Sequence, residues 1–157
     1  MALQPPSLPP RAALRFGFLA LAPLIFSAFI CLSSNYEIAH IGALSFSIYA
    51  AALLSFLGGI RCGFELMRTQ APDPLRLFYS ALPALSGWAL ALFVVLVPAA
   101  IGAASAFAGL FAAQYVWDHR SAATGAPPWY PLLRQVLTGG VMIACLLLPL
   151  ASALHRI

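Results

Sequence analysis

Apolar residues run through this chain in long blocks with short polar breaks between them, and the block lengths set the first expectations. Residues 16–32 form the opening block, FGFLALAPLIFSAFICL. It is long enough to cross a bilayer, and no small-x-small cleavage site precedes Ser33. A transmembrane helix bent at Pro23 is expected there. After the polar turn Ser33-Ser34-Asn35-Tyr36, a second helix is expected over 38–62, about 37 Å long at 1.5 Å per residue. Residues 61–76 then read as a loop broken at Pro72-Asp73-Pro74.

From Leu77 to Trp117 no residue is charged. One helix of that length would reach about 60 Å, roughly twice the hydrocarbon thickness, so the chain must reverse. Residues 98–102 carry the breaker, which gives a third helix over 75–97 and a fourth over 98–117. A polar stretch ends in Pro127-Pro128, and Trp129-Tyr130 has the character of an interfacial anchor. A fifth helix is expected over 129–154, with Pro149 in its last third. Residues 1–15 hold four prolines and read as an extended cytoplasmic tail. Residues 16–157 form a single membrane domain, with no internal repeat.

Composition agrees with that pattern. The chain has 157 residues, 62% hydrophobic and 8% charged, against about 25% charged in an average soluble domain. The fold class expected is an all-α integral membrane protein, a bundle of five transmembrane helices. All eight basic residues are arginine, and they lie at the ends of apolar runs. That is a topology signal and not the clustered polar face of a nucleic-acid binder. Under five crossings, Arg11, Arg15, Arg61, Arg68, Arg76, Arg120 and Arg134 fall on one side, with Arg156 alone on the other. The expectation is an N-terminus in the cytoplasm and a C-terminus outside. Arginine-only usage suggests a GC-rich genome and the inner (cytoplasmic) membrane of a bacterium. In a eukaryote the corresponding site is the mitochondrial inner membrane.

Small residues mark where helices approach one another. Gly58, Gly59 and Gly63 on the second helix, and Ser105 and Gly109 on the fourth, are the packing candidates. Cys31, Cys62 and Cys145 form no spaced motif and read as free, small packing residues.

Candidate chemistry gathers at the inner rim: Arg61, Glu65, Asp118 and Arg134. Arg134 stands about 8 Å inside its helix, where an unpaired arginine is costly. Asp118 is its expected partner, and Arg61 has both Glu65 and Asp118 within reach. The plain reading is a set of rim ion pairs that fix helix register. The sharper one is a cradle for an anionic group. A second candidate is a pocket opened by the kink at Pro83, formed by Tyr49, Pro83 and Trp88, with Trp129 and Tyr130 at the rim. His40 and His155 fall near the outer face and His119 near the inner one, with no Cys or carboxylate at ligand spacing. No metal and no cofactor are expected. Nor does any Ser/His/Asp set fall on one side, and no acidic residue sits at mid-membrane as in a pump.

Several of these stretches resemble the DUF 3429 family, a domain of unknown function that includes transmembrane protein 69 of mitochondria. The match rests on YAAALLSFLGGIRCGF, where Ser55 through Arg61 and Gly63 fit and Cys62 stands at the family's Trp. Ser80, Pro83, Leu85 and Trp88 are similar to its third-helix pattern. Asp118, Pro128, Trp129, Tyr130, Leu133, Arg134, Leu137 and Thr138 are similar to its fifth. The resemblance implies a five-helix inner-membrane protein and supplies no activity. The function expected is therefore that of a non-enzymatic accessory, assembly or stabilising partner of a larger membrane complex. Its partners would be the lipid bilayer and other membrane subunits or a second copy, with no nucleic acid. The alternative is a binder or translocator of a small molecule (porphyrin, lipid or quinone-like).

Overall fold

The computed structural model describes residues 8–68, 71–97, 100–121 and 126–154. It contains α1 (Arg11–Ile30), α2 (Tyr36–Arg68), α3 (Pro74–Leu96), α4 (Ala100–Ser121) and α5 (Tyr130–Leu154). Among the described residues there is no strand. Four of the helices, α1, α2, α3 and α5, are long and apolar enough to cross a membrane.

The helix ends differ from the sequence expectation for local reasons. α1 starts at Arg11, so residues 11–15 belong to a helix and not to the tail. It ends at Ile30, where Leu32 and Ser33 donate to the carbonyls of Phe29 and Ile30 and tighten the last turn. α2 starts two residues earlier than expected because the Asn35 side chain accepts from the amides of Glu37 and Ile38. Its far end lies beyond Cys62, at Arg68. Charges at Arg61 and Glu65 end the apolar run, but neither breaks a helix, and Pro72 is the first residue that does. Asp73 accepts from the Leu75 amide and caps α3, with Pro74 at its first position. α3 stops at Leu96, and Val97 is extended (φ −131°, ψ 100°), as the residue before a proline tends to be. The reversal itself, at Pro98, lies outside the described residues. α4 begins at Ala100 and not at 98, and it continues past Trp117 to carry Asp118 on its last turns. α5 starts at Tyr130, one residue later than expected.

Cross-helix contacts give the directions. A Cβ on Gly87 would lie 3.1 Å from Ala51, while Gly58 abuts the Ser80 carbonyl, so α2 and α3 are antiparallel. Gly17 faces Leu137 and Gly140 faces Leu21, so α1 and α5 run the same way. Phe46 meets the edge of Phe107 at 6.3 Å, and Arg61 meets Asp118, so α4 runs parallel to α2. The result is an up-and-down bundle in which the start of α1, the end of α2, the start of α3, the end of α4 and the start of α5 share one end. The apolar core, centred on Leu24, Phe46, Leu54, Phe107 and Phe111, fills the middle and the opposite end.

Helix contact at α2 is not where the sequence suggested. Gly58 is the close approach, lying against Ser80 and Pro83 of α3. Space for a Cβ is open at Gly59, Gly63 and Gly109, and Ser105 is exposed. The packing role expected for these four is therefore not played within this chain. Spacing of four residues puts side chains on one face but does not say which face turns inward. Most intrahelical serines bond their own backbone: Ser47 donates to Ala43, Ser80 to Leu77 and Ser86 to Pro83. Ser27 and Ser45 pair across α1 and α2 at 3.0 Å.

Candidate functional site: an arginine–aspartate cluster at one end of the bundle

Asp118 gathers the charged end around itself. It sits on the last turns of α4, where the helix directs it between α2 and α5. Its Oδ2 accepts from Arg134 Nε at 2.9 Å and lies 2.7 Å from Arg134 Nη2. Its Oδ1 accepts from Arg61 Nη1 at 3.0 Å and from Gln114 Nε2, one turn earlier, at 3.3 Å. Three helices are tied through one carboxylate. The side chains of Arg134 and Asp118 are only 6% and 8% exposed, which removes solvent screening and makes this a buried pair. Arg61 also lies flat over the Trp117 ring, 4.1 Å from its centroid, and adds a cation–π contact.

Glu65 stands one turn beyond Arg61 on α2, where its Oε2 lies 3.8 Å from Arg76 Nη1. Arg76 in turn is 3.6 Å from Asp73. Both separations exceed the hydrogen-bond range of about 2.7–3.2 Å, and Arg76 and Asp73 are half exposed. A second, looser charge group thus lies beside the tight one.

Between the two groups is a cavity of about 440 Å³, walled by α2, α3, α4 and the first turn of α5. Arg61, Glu65, Arg76, Tyr79, Trp117 and Tyr130 are among the residues that line it. Tyr79 meets Trp117 edge-on at 6.0 Å, and Tyr130 meets Phe64 at 5.5 Å. Trp129 packs on Tyr130. A separate apolar groove of about 200 Å³ lies between α1, α2 and α5, with Tyr130 and Arg134 also in its wall.

The structure therefore brings Arg61, Asp118 and Arg134 into one cluster, with Glu65 and Tyr130 on the neighbouring cavity wall. It does not bring Tyr49, Pro83 and Trp88 into a pocket. The Tyr49 hydroxyl donates to the Ala20 carbonyl of α1 at 2.8 Å. Pro83 is buried against α2, while Trp88 is 64% exposed. Residues five apart on a helix point about 140° away from each other, which separates Pro83 from Trp88 whatever the kink does. Gln114, Trp117, Tyr79, Asp73 and Arg76 are additions to the candidate site. The signal available for the first two was their place one turn and one residue before Asp118.

Residues 9–150 match the family described as "Protein of unknown function (DUF3429)". The chain belongs to the DUF3429 family. This DUF3429 protein is also 30% identical, over 143 residues, to "Transmembrane protein 69" of Xenopus tropicalis. The alignment covers 82% of this chain and 50% of the frog protein, so the DUF3429 chain spans about half the length of that relative. No solved structure matches it. With four apolar helices of spanning length, it is a multi-pass membrane protein.

Proposed function

We propose that this DUF3429 protein crosses the bacterial inner membrane five times, N-terminus in the cytoplasm, and serves as a non-enzymatic accessory, assembly or stabilising partner of a larger membrane complex. In a eukaryotic cell the corresponding membrane is the mitochondrial inner one. A crossing by α4 is supported by its course beside α2, from the Phe46–Phe107 contact to the Arg61–Asp118 pair. The cytoplasmic assignment of the charged end is supported by Arg11, Arg15, Arg61, Arg76, Arg120 and Arg134, which all belong to that end.

One observation carries the accessory role. The exposed face of α4 is Gly102, Ser105, Ala106, Gly109, Ala112 and Ala113, whereas α1, α3 and α5 turn Phe26, Phe78, Leu92 and Ile143 outward. A Cβ built on Gly102 or Gly109 meets nothing within 4 Å. Small residues gain nothing against lipid tails, but they let another helix backbone come close. Gly59 and Gly63 leave α2 a second face of the same kind. Gly109→Leu is expected to abolish co-purification of the partner, or of a second tagged copy, in mild detergent while leaving the melting temperature unchanged. A strictly monomeric wild type with nothing bound, or a Gly109→Leu protein that assembles normally, would refute the role.

The roughly 440 Å³ cavity favours a second reading, a binder of a lipid or other small amphiphile, since ligand sites occupy roughly 300–1,000 Å³.

A further inference from the structure

Resting on that second reading, we propose that the cavity at the charged end binds a zwitterionic phospholipid headgroup, a phosphate joined to an ammonium. The argument starts from charge. Arg61 and Arg76 line the cavity with Glu65, Asp73 and Asp118, and Arg134 neutralises Asp118 from behind. These six groups carry three positive and three negative charges, so the site is neutral overall but internally polarised. A net anion would find Arg61 and Arg134 already held by Asp118. A ligand with both signs can be matched at two points.

Arg76 supplies the first point. Its guanidinium is half exposed and sits beyond hydrogen-bond length from both Glu65 and Asp73, so a phosphate oxygen reaches it without displacing a tight pair. Asp73, half exposed beside it, supplies the second and accepts the ammonium. The ring pair Tyr79 and Trp117 gives that ammonium a flanking aromatic wall. Depth agrees, because Asp73 caps α3 directly before its apolar run begins at Leu75, the level at which headgroups lie.

The test uses the full chain, delipidated in mild detergent and returned to mixed micelles containing phosphatidylethanolamine or phosphatidylglycerol, with retained lipid counted by native mass spectrometry. The expected result is about tenfold stronger retention of phosphatidylethanolamine, the scale of one charge-assisted hydrogen bond. Asp73→Asn keeps the helix-capping oxygen and is expected to erase the preference, while Arg76→Gln weakens retention of both lipids. Soluble glycerophosphoethanolamine forms a third arm. Competition at the lipid's own concentration assigns the same chemistry to a soluble ligand, and competition only at large excess assigns it to the membrane. Equal retention of the two lipids, or an unchanged preference in Asp73→Asn, overturns the headgroup assignment and leaves the small-molecule reading standing. Failure of every probe to bind overturns both.

Discussion

Two neighbouring residues, Gly58 and Gly59, show how finely the packing is set. A methyl group on Gly58 would drive into the Ser80 carbonyl, whereas one on Gly59 meets open space. Gly58→Ala is therefore expected to destabilise by about 1–3 kcal/mol, as overpacking does, and Gly59→Ala to be neutral or slightly stabilising through helix propensity. Thermal melting in detergent separates the two. The cluster makes a second prediction. Asp118→Leu leaves both Arg61 and Arg134 without their shared carboxylate, an expected loss of about 3–5 kcal/mol, and Arg134→Leu loses less because Arg61 still neutralises Asp118. The double change should fall short of the sum yet remain well below wild type, since Arg61 is still stranded. Strict additivity in denaturation would break the pairing. Of this, the pairing of Arg134 with Asp118 was readable, because both lie close to an apolar boundary with no other partner nearby. Gly58 was not, since its role depends on which side of α2 meets α3.

At the scale of single helices, the turn between α1 and α2 rests on Asn35, whose side chain satisfies two otherwise orphaned amides. Asn35→Ala is expected to cost about 1 kcal/mol and Asn35→Asp almost nothing, checked as a shift in melting temperature. Element order and approximate centres could be read from apolar block length, which the bilayer fixes. The ends could not, and α2 shows why. Its charged residues looked like an exit from the membrane, but Arg61 finds Asp118 and Trp117 sideways, and so the helix runs on for about 50 Å in all. Lateral partners are invisible to a one-dimensional pattern. α4 shows the same limit, because its last turns carry the most informative carboxylate of the chain.

Taken whole, the bundle places its polar and charged chemistry at one end and its densest apolar packing elsewhere. Arginine distribution made that polarity legible in advance, because cations avoid the translocated side. The cavity was not legible, since it arises where α2, α3 and α4 diverge around long side chains. With five crossings, a reporter fused after the C-terminal residue should respond to reagents added outside intact cells and be silent to the cytoplasmic compartment. A cytoplasmic signal would leave α4 outside the set of spanning helices.

The shared carboxylate also bears on how the chain is made. Synthesis delivers α2 first, then α4, then α5. A nascent protein lacking its final segment already holds Arg61 and Asp118 together in a neutral couple. The last segment arrives with Arg134 and no acidic residue of its own, and it must enter hydrocarbon while carrying that charge. Its insertion therefore waits on a counter-ion that an earlier segment has brought into place, which makes entry of α5 the step that seals the molecule and the first to fail when Asp118 is lost.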